Sequence, residues 1–159
     1  MLRPGKRVKR TRRGDFELSL PPQERDLLRS LPGQLIERLE AGPDEPDLVR
    51  LFPPAYAKDE DRKAEDEYRL LMGSDLMDRH KEALEVMAAT LDSERLDEDQ
   101  MAAWLRSLNE LRLVLGTRLD VSEDQAPPPP GDPRAAGFAL YSYLSWLQGQ
   151  VIDALSGAL

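Results

Sequence analysis

Cysteine is absent from the 159 residues, and there is one histidine, His80. Without a thiol this chain has no disulfide, thiolate nucleophile, zinc-thiolate site or thiol redox switch of its own. The position three before His80 is Met77, so the Glu-x-x-His pattern of di-iron bundles is missing. His80 therefore reads as a solvated or edge-packed side chain on an acidic helix face. None of the serines sits in a Gly-x-Ser-x-Gly setting, and any Ser-His-Asp relay would depend on that single histidine. Neither a Walker Gly-Lys-Ser/Thr loop nor a Gly-x-Gly-x-x-Gly turn occurs. These absences lead to an expectation of no enzymatic activity, no metal and no cofactor. No stretch approaches the roughly 18 uncharged apolar residues of a membrane span, and no apolar run of signal-peptide length follows the N-terminus. The expectation is a soluble cytoplasmic protein with no membrane association.

Charge is unevenly placed. Arg3, Lys6, Arg7, Lys9, Arg10, Arg12 and Arg13 give +7 over residues 1–13, and the remainder carries −15, for a net of −8. An acidic body repels phosphate at long range, so nucleic acid could be held only locally by this arm, in a salt-dependent way. Arg7, Lys9, Arg10, Arg12 and Arg13 are the candidates for binding DNA or an acidic partner. The competing reading is a basic edge strand that blocks sheet-edge aggregation.

With 40% apolar and 33% charged residues, the length fits a single domain with a real core. Phe16, Leu18 and Leu20 alternate with polar residues as in a half-buried strand. Val8 and Thr11 precede an Arg13-Gly14-Asp15 turn, so a short hairpin is expected, laid on helices. Pro21 and Pro22 open a helical tract carrying Leu27, Leu28, Leu31, Leu35, Ile36 and Leu39, divided at Pro32. Gly42, Pro43 and Pro46 end it. Asp47 to Phe52 reads as a short turn of helix before Pro53 and Pro54. A long helical tract after Asp59 is expected to break at Gly73-Ser74, with Ser74 capping a second helix. Asp97 and Gln100 form a capping-box pattern ahead of Met101, Trp104, Leu108, Leu111 and Leu115. Gly116 and Thr117 weaken the end of that helix. The last helix runs from about Ala135 to Leu155. The expected fold is mainly α, a helical bundle with a short N-terminal β-hairpin. Its parts are a basic arm and hairpin over 1–20, helices over 21–119, a Pro-rich loop over 120–134 and a C-terminal helix over 135–159.

Asp75, Asp78, Glu82 and Glu85 share a helical face with Arg79 and Lys81, which makes it a solvated face, and residues 59–67 read likewise. Trp104, Tyr141, Tyr143 and Trp146 are not interleaved with Lys or Arg on a strand, so they read as core or interface anchors rather than base-stacking platforms. Arg112 and Arg118, six residues apart, fall on different sides of their helix. Each could reach a carboxylate such as Glu110 or Asp120, or serve a partner surface. The candidate partner-binding set is Trp104, Arg112, Arg118, Tyr143 and Trp146. The broad apolar face of the last helix also leaves room for a second copy.

The tract LNELRLVLGTRLDV at 108–121, with LFPPAY at 51–56, YSYLSWLQGQVIDAL at 141–155 and RTRRGDFELSL at 10–20, resembles an actinobacterial domain-of-unknown-function family whose described member is an oxidative-stress transcription regulator. The resemblance implies a cytoplasmic, non-enzymatic regulator that associates with an extracytoplasmic-function sigma factor and affects genes for cysteine biosynthesis and redox balance. Oxidation sensing in that relative is attributed to a pair of closely spaced cysteines. This chain has none, so no sensor residue carries over. The alternative is a DNA-independent structural or adaptor protein, since fold alone does not fix function.

Overall fold

The computed structural model describes residues 5–42, 45–52, 62–121 and 126–157. Arg3, Pro43, Pro53 to Tyr56, Asp59 and residues 122–125 of the Pro-rich loop lie outside the described residues. In chain order the elements are β1 (Val8–Arg10), β2 (Phe16–Leu18), α1 (Pro22–Arg29), α2 (Leu31–Ala41), a 3-10 segment (Pro46–Leu51), α3 (Arg62–Ala89), β3 (Arg95–Leu96), α4 (Glu98–Leu119) and α5 (Ala135–Leu155). The fold is thus mainly α, as expected, with the hairpin at its head. Among the described residues no helix is long and apolar enough to cross a membrane.

The hairpin pairs Val8 with Leu18 and Arg10 with Phe16, and Gly14 (φ +90°) supplies the left-handed position at its tip. A third strand, not anticipated, pairs Leu96 with Phe16. Two residues are too few to show alternation, so only the partner strand reveals it. The buried face of the hairpin, Val8, Phe16 and Leu18, joins the helical core as expected for a ribbon that cannot stand alone in water.

Pro32 sits in the first turn of α2, with only Ser30 between the end of α1 at Arg29 and Leu31, so proline divides the helices as its missing N–H requires. The expected break at Gly73-Ser74 does not occur: α3 is continuous from Arg62 to Ala89, and Ser74 starts no new helix. One helical Gly costs about 1 kcal/mol relative to Ala, which packing along a 28-residue helix offsets. Asp97 caps α4 through Gln100 in both directions, at 2.7 and 2.9 Å. Gly116 and Thr117 lie within α4, which closes on a left-handed Asp120 (φ 53°), the Val121 N–H reaching back to the Gly116 carbonyl at 3.0 Å.

Helix α4 is the axis, with α3 and α5 packed along it and α2 and the 3-10 segment closing one side. Trp104 is 0% exposed at its centre, and its indole N–H donates to the Thr90 hydroxyl at 2.7 Å. The pairing satisfies the one polar atom of a side chain whose burial contributes about 2–3 kcal/mol or more. Two glycines set how closely α4 and α5 approach. A Cβ at Gly116 would stand 3.0 Å from Cε2 of Tyr141, and one at Gly137 3.0 Å from Cδ2 of Leu119. Only glycine leaves each of those side chains its present seat.

Candidate interaction surface

The basic arm divides into two groups. Arg7 faces inward: its Nε donates to Glu24 at 3.0 and 3.1 Å and its Nη2 to the same carboxylate at 2.8 Å. The Tyr143 hydroxyl donates to Glu24 at 2.8 Å, Gln150 accepts the Arg7 backbone N–H at 2.6 Å, and the guanidinium lies 5.1 Å from the Trp146 ring centroid. This cluster ties β1, α1 and α5 together. The Arg7 hydrogen bond is the largest influence holding the Glu24 carboxyl below its usual range. Burial, then the bond to Glu24, pushes the Tyr143 hydroxyl far up. Arg10 is likewise occupied, its guanidinium donating to the Ala154 and Leu155 carbonyls at 3.3 Å each and lying over Phe16. Cations at a helix C-terminus meet its negative dipole end. Lys6, Lys9, Arg12 and Arg13, by contrast, are exposed around the strand and turn. Of the five arm residues named as a binding set, the structure brings Lys9, Arg12 and Arg13 to solvent and commits Arg7 and Arg10 to the fold.

The α4 and α5 candidates separate as well. Trp104 is a correction: fully buried, it presents nothing to a partner, because its position on the Met101/Leu108/Leu111 stripe is the core-facing one. Tyr143 is half-buried in the Arg7 cluster, while Trp146 is 38% exposed beside it. Arg112 reaches neither Glu110 nor Asp120; it donates to Gln148 at 2.5 Å and spans the Tyr141 ring at 5.7 Å. Arg118 pairs instead with Asp47 at 3.6 Å, a carboxylate already held by both Nη groups of Arg38. The Arg38 hydrogen bonds are the largest influence keeping Asp47 below its usual range.

His80 overturns its expectation of a solvated or edge-packed side chain. The ring is buried, its Nδ1 bonded to Glu110 Oε1 and its Nε2 to the Leu51 carbonyl at 2.8 Å, with Phe52 edge-on at 5.3 Å. Arg106 adds a bond to the same Glu110 oxygen at 3.1 Å. Glu110 is 2% exposed, and its other oxygen has no hydrogen-bond partner among the described residues. One-dimensional spacing missed this pair because its two members lie on different helices. The 75–85 acids behave as expected: Asp75, Asp78, Glu82 and Glu85 are exposed, with Arg79 paired to Asp75 at 3.2 Å. Among the described residues no three His, Asp or Glu side chains gather as metal ligands.

The geometry defines a helical protein fronted by a basic hairpin, whose distinctive groups are surfaces and ion pairs. The chain belongs to the DUF2017 family, described as a domain of unknown function, which matches residues 5–155. Relatives named oxidative stress regulator AosR, from Mycobacterium tuberculosis strain H37Rv and Mycobacterium bovis, are 29% identical over 197 aligned positions, covering 99% of this chain and 90% of theirs. A Mycobacterium leprae relative, named putative oxidative stress regulator AosR, is also 29% identical, over 97% of this chain and 88% of its own. The resemblance read from residues 108–121 and 141–155 is thereby confirmed at the level of family. No solved structure matches the chain.

Proposed function

We propose that this protein regulates transcription in response to stress by binding another protein, and that it does so in the cytoplasm without catalysing a reaction. The near-full-length relation to proteins named as oxidative stress regulators carries this reading. An extracytoplasmic-function sigma factor is the expected partner. The input is not a thiol of this chain, which has no cysteine. Trp146 and Ile152, exposed on α5, are where the partner or a second copy would seat. Lys9, Arg12 and Arg13 supply a cationic rim that meets promoter DNA or acidic side chains nearby.

A DNA-independent adaptor is the second reading. It is favoured by the commitment of Arg7 and Arg10 to the fold, which reduces the cations available for phosphate. Co-purification from the native host, followed by reconstitution with the captured sigma factor, tests the proposal. Binding by the wild-type protein supports it, and absence of any transcription protein overturns it. Salt dependence separates the two readings: DNA contact through the rim makes affinity fall steeply with salt and drop in the Lys9→Ser/Arg12→Ser/Arg13→Ser variant, whereas an adaptor shows neither effect.

A further inference from the structure

A small hollow of about 190 Å³ lies where α2, α4 and α5 converge, its apolar walls including Leu111, Leu115, Leu140 and Leu144 and its polar lining made by Gln34, Arg38 and Arg118. The walls are aliphatic and offer a guest no hydrogen bond. The polar groups of the lining are Gln34 and two guanidinium groups, which both pair with the carboxylate of Asp47, Glu45 acting on Arg38 from further off. Arg38 is fully engaged, with both Nη groups on Asp47. Arg118 touches Asp47 only through Nε at 3.6 Å, its side chain is 61% exposed, and among the described residues its Nη groups meet no carboxylate. A planar fork of donors that no carboxylate among the described residues takes, beside an apolar slot, is matched by a single carboxylate on a hydrocarbon tail. A dry cavity of about 150 Å³ accepts a benzene-sized guest, so this one takes a chain of about six to eight carbons. The larger hollow of about 760 Å³ beside α3, α4 and α5 mixes Glu82, Asp97 and Asp99 with Arg79 and Arg106, and so selects no single ligand charge.

We infer that the hollow between α2, α4 and α5 is a binding site for a small aliphatic monocarboxylate, its tail among Leu111, Leu115, Leu140 and Leu144 and its carboxylate on Arg118. This goes beyond the regulatory reading and stands without it. If that reading holds, the acid is an input of the kind a thiol-free regulator needs. Arg118, which the ligand would share with Asp47, thereby links the hollow to the 3-10 segment whose Leu51 carbonyl is held by His80, so occupancy is placed to reach the α3–α4 interface.

The test uses the full chain and sodium octanoate, followed by methyl NMR, with 1-octanol and acetate as the tail-only and head-only probes. Expected is saturable binding, half-complete at about 1 mM or below, that shifts the Leu111, Leu115 and Leu140 methyls. Octanol, and octanoate on Arg118→Ala, should bind about tenfold more weakly, and acetate should not shift those methyls. Leu140→Trp, which fills the slot, should bind none while keeping the wild-type circular dichroism. Non-saturating shifts, shifts centred elsewhere, or equal binding of octanoate and octanol by wild type and Arg118→Ala would overturn the assignment. Should Leu140→Trp fail to fold, the octanol and Arg118→Ala arms decide alone.

Discussion

Arg7 grips the Glu24 carboxylate through two of its nitrogens, Nε at 3.0 Å and Nη2 at 2.8 Å, and so fastens the basic hairpin to α1. With the Tyr143 hydroxyl on the same carboxylate, one acid gathers the strand, the first helix and the last. The arm is therefore a built part of the fold at its base and a free cation source only toward its turn. Arg7→Ala should destabilise the protein by about 1–3 kcal/mol, since it strips a charged hydrogen-bonding partner from a partly buried acid. Arg12→Ala and Arg13→Ala should each stay within about 0.5 kcal/mol. Chemical denaturation of the three variants distinguishes the roles.

The same cluster fixes a pH dependence. Arg7 holds the Glu24 carboxyl below its ordinary value of 4.5, so its contribution to stability is complete above that pH and fades as acid carries the pH down through the lowered folded value. Asp47, held down by Arg38 from an ordinary 3.8, acts in the same direction at lower pH. Denaturation midpoints measured from pH 7 to pH 3 should fall with acid, and Glu24→Gln should flatten the upper part of that decline.

Removing one member of the buried His80–Glu110 pair strips the other of its partner across the two helices, leaving Glu110 only Arg106 and His80 only the Leu51 carbonyl. Glu110→Leu or His80→Leu alone should cost about 1–3 kcal/mol, whereas the double variant should recover part of that loss. A double-mutant cycle by urea denaturation checks this; additive losses would show that the two side chains do not interact.

Gly116 governs the α4–α5 seam. Gly116→Val should destabilise by about 1–3 kcal/mol because its branched side chain meets the Tyr141 ring, and Tyr141→Ala should offset part of that loss. Gly116→Ala gains up to about 1 kcal/mol of helix propensity against the same contact and should be near neutral. Thermal melts of the single and paired variants report the balance.

Local chemistry made much of this fold legible. Pro32 divided α1 from α2, Asp97 with Gln100 opened α4, and the Phe16/Leu18 alternation placed β2, because each depends on neighbours in sequence. Gly73 misled, since one poor helix former does not interrupt a 28-residue helix. The site was less readable. A run of cations announces charge but not whether Glu24 lies within reach, and the stripe position of Trp104 pointed to the core without showing that Thr90, just past α3, takes its indole N–H. His80 and Glu110, 30 residues apart, meet across two helices and leave no spacing signature.

The most direct test of the regulatory account is the transcript response of the native host to peroxide, compared among wild type, a deletion strain, and the deletion strain complemented with this chain. The account predicts that deletion blunts induction of a defined set of stress genes and that complementation restores it. An identical response in all three strains would contradict it.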